Sequence, residues 1–238
     1  MTSPDRTREP QYQSAVELRS QQGLTRLGLT SSETWNIDPR RLGFVLARYK
    51  FVSKMFRGLR SVLEIGCGDA FGTRIVLQEV ERITAIDFDP VFIADARDRM
   101  QPEWKFDCFV HDMLSGPVKG EFDGAYSLDV FEHIPPHDED RFIRNIVDSL
   151  SDRGIFMLGS PSLESQVHAS PASKAGHVNC KSGDELQALI ANYFHHVFLF
   201  SMNDEVVHTG FSPMAHYLLV LACGRKDRSA AEDQALQA

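Results

Sequence analysis

The stretch Ser61-Val62-Leu63-Glu64-Ile65-Gly66-Cys67-Gly68-Asp69-Ala70-Phe71-Gly72-Thr73 decides how the rest of the chain is read. Its first five residues are a short, largely apolar run that stops at glycines, which predicts a buried strand. From Thr73 to Val80 the pattern is helical. The turn between them reads GxGxxxG, one residue longer than the GxGxxG of dinucleotide sites. Glycines there allow a tight backbone and leave amides that no side chain shields from a ligand. The next strand, Ile83 to Asp87, ends on an acidic residue about twenty positions past the first glycine. At that spacing a carboxylate can accept both ribose hydroxyls of an adenosyl group.

On either side of this unit, helical and strand-like segments alternate, as in an α/β fold. Upstream, Leu42, Val45, Leu46, Tyr49 and Val52 fall at helical spacing within Pro39 to Phe56. Downstream, Pro90 opens a helix to about Met100, and His137 to Leu150 is a second. Strands are predicted at Phe106 to Val110, Phe122 to Leu128 and Gly154 to Ser160. Ser182 with Glu185 predicts a capping box for a helix through Ala191. Strands near Val197 to Ser201 and His216 to Cys223 have no helix between them, so an antiparallel closing pair is expected. The result is one α/β domain with a mostly parallel seven-stranded sheet, an antiparallel last strand and helices on both faces. Residues 1–38 are expected to form an N-terminal helical lid segment, 39–225 the α/β domain and 226–238 a disordered tail.

A chain of 238 residues suits one such domain. With 33 acidic against 25 basic residues and a net charge of -8, it offers no broad phosphate-binding face, so no nucleic-acid partner is expected. Cys67, Cys108, Cys180 and Cys223 form no CxxC, which leaves a zinc ribbon or a disulfide framework without support. That fits a reducing, cytoplasmic setting. The polar N-terminus lacks the apolar core of a signal peptide, and Tyr217 to Cys223 is too short to cross a bilayer, so no membrane partner is expected.

VLEIGCGDAFGT resembles the first motif of the class I S-adenosylmethionine-dependent methyltransferases, and TAIDFDP resembles their second. HDMLS is similar to their adenine-holding segment, FDGAYSLDVFEHIPP to their fourth motif and RGIFMLGSP to the strand after it. The resemblance covers about residues 60 to 160 closely. It implies a Rossmann-like domain that uses S-adenosyl-L-methionine and releases S-adenosyl-L-homocysteine. It places the backbone of Gly66 and Gly68 against the methionine part of the cofactor, Asp87 on the ribose, Asp112 and Met113 at the adenine, and Ser127, Leu128 and Asp129 beneath the sulfonium. Glu64, Cys67 and Phe88 complete the implied cofactor set. A neutral to acidic pocket suits a cation whose α-amino group is also positive. A pyrophosphate would want a basic residue at the turn, and the nearest is Arg74.

Methyl transfer from a sulfonium is an in-line displacement, in which positioning and desolvation supply much of the acceleration. A hydroxyl acceptor also needs a base, whereas an amine needs only to be neutral. The resemblance puts DVFEHI at the acceptor pocket, which makes His133 and Asp129 catalytic candidates; the plain alternative for His133 is a histidine that caps or packs a helix start. His177, on the long loop from Pro161 to Cys180, is a third candidate, against a solvent-facing loop histidine. Glu132, His133, His137, Asp138, Glu139 and Asp140 crowd together, and some family members bind magnesium or calcium nearby. An HDED run is more often a solvated helix start, so no metal ligand is assigned. Arg41 or Arg48, after Trp35, binds the cofactor carboxylate or an anionic acceptor, or else belongs to a basic surface stripe. NDEVVHTGF, Asn203 to Phe211, is either acceptor wall or hairpin loop.

The expected function is methyl transfer to a small-molecule acceptor, a sugar or other metabolite, with O-methylation favoured; a homodimer is left open. One competing reading is an NAD-dependent oxidoreductase or epimerase, but no tyrosine here has lysine four residues on. Another is a non-catalytic scaffold that binds the adenosyl cofactor and activates a partner. The NPPY-type tetrapeptide of amino-group methylators is absent, and LDVF stands at Leu128 to Phe131.

Overall fold

The structure, a computed structural model, describes residues 6–226. Its sheet is organised around β1 (Ser61–Ile65), whose residues are all buried, as expected of a strand covered on both faces. Parallel neighbours flank it: β2 (Arg82–Asp87) on one side and β4 (Phe122–Leu128) on the other. β3 (Asp107–Val110) extends the sheet beyond β2, and β5 (Leu150–Pro161) beyond β4, both in parallel. β8 (Tyr217–Arg225) then lies antiparallel between β5 and β6 (Phe194–Asn203), and the short β7 (Val206–His208) closes that edge against β6. Among the described residues the order is β3-β2-β1-β4-β5-β8-β6-β7.

The sheet therefore has eight strands where seven were expected. The addition, β7, comes from Asn203 to Phe211, the cluster that was ambiguous in sequence. Asp204, at φ 50°, and Glu205 turn the chain so that Val206–His208 pairs with Ser201–Asn203. A two-residue hairpin turn is usually announced by glycine, and Asp-Glu carries no such signal. The antiparallel closing pair is β6 with β8.

Helices cover both faces, because neighbouring residues of β1 point opposite ways. Val62 packs with Val52 and Phe56, at the end of α3 (Pro39–Met55), with Val76 of α4 (Thr73–Leu77) and with Ile93 of α5 (Pro90–Arg99). Leu63 packs on the other face with Phe142, Ile143 and Ile146 of α6 (Glu139–Ser149) and Leu186 and Ile190 of α8 (Gly183–Ile190). The capping box of α8 is present: Ser182 Oγ accepts from the Glu185 amide and Glu185 Oε2 accepts from the Ser182 amide. Ahead of the sheet stand α1 (Gln13–Gln22) and α2 (Leu29–Ile37), and α7 (Pro171–Gly176) lies in the long loop. No helix among the described residues is long and apolar enough to cross a membrane. Apart from Lys226, the expected 226–238 tail lies outside the described residues.

The chain runs outward from β1 to β2 and β3, then returns to place β4 on the opposite side of β1. That reversal opens a crevice at the carboxyl ends of β1 and β4, where ligands of open α/β sheets bind. The glycine turn and Asp129 are both at this point.

Candidate active site

The glycine turn is pinned before any ligand arrives. The amides of Gly66 and Cys67 both donate to the carbonyl of Ile86, each at 2.9 Å. Gly66 has φ 71°, and a Cβ there would lie 2.2 Å from Val130 Cγ2, so no side chain fits. Gly68 has φ 51°, and a Cβ there would meet nothing within 4 Å. One glycine serves packing, and the other leaves the backbone open for close approach. Glu64 lies beneath the turn, 1% exposed, and accepts from Thr73 Oγ1 at 2.6 Å. Burial pushes its carboxyl up to about 7, against the opposing pull of the Thr73 hydrogen bond and of the nearby Tyr126 and Tyr49 hydroxyls. Glu64 thus braces the turn from below.

At the end of β2, Asp87 accepts from the Gly68 amide and from the Asp89 amide, both at 2.9 Å. Phe88 beside it is 73% exposed and offers a free ring face. Asp112, exposed past the end of β3, accepts from the Leu114 amide at 2.8 Å. Met113 is buried in the core, and its carbonyl accepts from Asn145 Nδ2 at 2.7 Å. Its side chain is therefore committed to packing. Cys67 faces Cys108 of β3, and both thiols are free. The Cys108 contact and burial together push the Cys67 thiol up, which keeps it neutral.

A cavity of about 400 Å³ opens beside the turn. Gly66, Cys67, Gly68, Leu128, Asp129, His133 and His177 all line it, so the structure gathers cofactor and catalytic candidates into one space. Ser127 lies outside that lining, 1% exposed. The far wall comes from α2 and α3, including Thr30, Arg41 and Tyr49. Ser31 fastens α2 to the turn: its amide donates to Asp69 Oδ2 at 2.7 Å and its hydroxyl to Oδ1 at 3.3 Å. Arg48 fastens α3 to β4 by donating from Nη1 to both oxygens of Asp129 at 2.6 Å, with its guanidinium 3.7 Å over the Tyr217 ring. Burial would lower the Arg48 pKa, but Asp129, Tyr217 and Glu132 together outweigh it and the pKa rises. Asp129 itself has φ 58°, an unusual conformation for a residue other than glycine.

Opposite the turn, Glu132, His133 and His177 bring one ligand atom each within 4.8 Å of one another. His133 Nδ1 lies 2.8 Å from the Gly176 carbonyl, so it is the protonated nitrogen and Nε2 carries a lone pair. His177 Nδ1 lies 2.8 Å from Gln166 Oε1, with the same consequence. Burial, and after it the neighbouring His133, hold His177 below the usual imidazole value. Glu132 is 1% exposed, and its Oε2 has no hydrogen-bond partner among the described residues. Burial and then Asp129 push its carboxyl up to about 8, opposed by its own amide, Arg48 and Ser160. The rest of the acidic run goes elsewhere: Asp138 to His137 and Arg141, Glu139 to Lys181 and Asn179, Asp140 to Arg144 and Tyr193. His168 is outside the cavity, and His208 bonds Asn203 in the β7 hairpin. Sequence reasoning did not foresee the Arg48–Asp129 and Ser31–Asp69 contacts, which span 81 and 38 positions. Gln166 likewise had no local signal.

Residues 62–154 match a family profile described as a methyltransferase domain. Two curated proteins from strains of Mycobacterium tuberculosis, each named "Probable S-adenosylmethionine-dependent methyltransferase", are 25% identical over 136 residues. The match takes in 55% of this chain and 47% of theirs, so it spans about half the length of those relatives. Among solved structures, the N-methyltransferase NodS of Bradyrhizobium japonicum WM9 with S-adenosyl-L-homocysteine superposes with a TM-score of 0.60. It is 18% identical, and 92% of this chain and 100% of that one are covered. A DhpI complex with S-adenosyl-L-homocysteine gives 0.62 at 15% identity, over 83% and 92%. The glycine turn at the β1/β4 reversal, the antiparallel β8 and these likenesses agree: residues 62–154 form a methyltransferase domain, and the chain is similar to the class I S-adenosylmethionine-dependent methyltransferases.

Proposed function

We propose that this protein transfers the methyl group of S-adenosyl-L-methionine to a hydroxyl of a small-molecule acceptor, a sugar or another metabolite. The observation that carries the reading is the shared cavity: the open backbone at Gly68 forms one wall and the lone pairs of His133 and His177 another. The donor set fits the cofactor. Asp87 suits the ribose hydroxyls, the exposed Phe88 ring suits a nucleobase face, and Arg48 on the cavity wall is tied to Asp129. Arg74, the nearest cation in sequence, sits over the Trp104 ring at 5.0 Å instead. That favours an adenosyl sulfonium over NAD. When bound, the cofactor supplies the activated methyl group.

On the acceptor side, the imidazole lone pairs of His133 and His177 offer the base that removal of a hydroxyl proton needs and a neutral amine does not. Asp129 is occupied by Arg48, so its part is to hold α3 and shape the cavity. Titration calorimetry with S-adenosyl-L-methionine, S-adenosyl-L-homocysteine and NAD tests the cofactor assignment, and binding of NAD alone overturns it. A panel of hydroxyl and amine acceptors, read by S-adenosyl-L-homocysteine release, tests the acceptor class. Turnover confined to amines would refute the O-methylation reading.

A further inference from the structure

We propose that Glu132, His133 and His177 form a binding site for a divalent first-row transition-metal ion, open on the acceptor side of the cavity. This deepens the acceptor assignment above and rests on it only for the metal's role in turnover. Two imidazoles and a carboxylate are a ligand set suited to such ions, whereas magnesium and calcium prefer oxygen alone. The three ligand atoms lie within 4.8 Å of one another. Metal–ligand bonds of about 2.0–2.2 Å need separations of roughly 3–3.5 Å, which rotation of side chains at a cavity wall can supply.

Two further features show a built site. Both histidines use Nδ1 on a fixed acceptor, the Gly176 carbonyl and Gln166 Oε1, each at 2.8 Å. Such second contacts set the tautomer and aim Nε2 in metal-binding histidines. Glu132 Oε2 is buried without a partner among the described residues, in a side chain 1% exposed. A lone buried carboxylate oxygen is costly unless something positive meets it. Arg48, a buried cation whose charge Glu132 feels, gives both of its hydrogen bonds to Asp129 instead. With three protein ligands, positions remain open for an acceptor oxygen. Coordination there acidifies a hydroxyl: the O–H bond breaks, the proton passes to solvent water and the oxygen keeps the electron pair on the metal.

The test is a titration of the whole, cofactor-free protein with Mn²⁺, following the spectrum of the free ion by electron paramagnetic resonance, with S-adenosyl-L-homocysteine affinity measured in parallel by calorimetry. One Mn²⁺ bound per chain is expected, displaced by Zn²⁺, which binds such ligands more tightly. Glu132→Gln and His177→Ala should each weaken it at least about 100-fold, and Gln166→Ala, which only frees the His177 ring, about 10-fold. All three should retain S-adenosyl-L-homocysteine binding, which shows that they fold. An unchanged Mn²⁺ spectrum in protein excess, or binding that survives both Glu132→Gln and His177→Ala, overturns the metal site and leaves the methyltransferase reading standing. Metal binding without S-adenosyl-L-homocysteine binding would do the reverse.

Discussion

Asp87 holds two amides, those of Gly68 and Asp89, and still keeps acceptor capacity for a ligand. Changing it to Asn preserves an acceptor but removes the charge that strengthens bonds to ribose hydroxyls. Asp87→Asn should weaken S-adenosyl-L-homocysteine roughly 10- to 100-fold, from the value of charge-assisted hydrogen bonds; unchanged affinity in calorimetry would remove Asp87 from the ribose site. Glu64 makes a different prediction. Its folded pKa of about 7 lies above the usual 4.5, so between these values the folded protein holds a proton that the unfolded chain has lost. The stability this contributes is complete below the ordinary carboxylate pKa and drains away as pH rises through about 7. Melting temperatures measured from pH 5 to pH 8 should fall, and Glu64→Gln should flatten that slope. A variant with the parental slope would show that Glu64 is ionised throughout.

Elements show where local sequence suffices. Ser182 and Glu185 announced their helix start because a capping box is a three-residue matter, and Ser182→Ala should cost about 1 kcal/mol. In a domain of this size that is roughly 2–4 °C of melting temperature. The glycine turn, the alternation of strands and helices and the antiparallel closing pair were legible for the same reason. β7 was not, because its turn lacks glycine, and neither were the contacts that bring α2 and α3 to the cavity. The Arg48–Asp129 pair spans 81 positions and leaves no periodic trace. Sequence also placed the acidic crowd at Glu132 to Asp140, whereas folding sends Asp138, Glu139 and Asp140 to other partners and supplies His177 from a distant loop. Breaking the Arg48 tie should detach α3 from β4: Arg48→Ala should destabilise by about 2 kcal/mol, below the range for a fully buried pair because Asp129 is partly exposed. Denaturant unfolding of Arg48→Ala, Asp129→Ala and the double variant measures this, and additive losses would deny the coupling.

At the scale of the whole molecule, a ligand held by the turn, β2 and the N-terminal helices together should stabilise all of them at once. At a hundred times its dissociation constant, S-adenosyl-L-homocysteine should contribute about 2.7 kcal/mol, or roughly 5–10 °C in a thermal melt. NAD at the same concentration should leave the transition in place. The order of the strands bears on how the chain comes to be folded at all. β8 is the last of the eight to leave the ribosome, yet it occupies an interior slot between β5 and β6. Until it emerges, β6 and β7 form an isolated hairpin, and β5 exposes an unpaired margin to the cell. The first half of the sheet can assemble during translation, but the second half waits for residues Tyr217–Arg225. Ribosomes stalled before that segment should therefore display a nascent protein that proteases cut after β5 and spare before it.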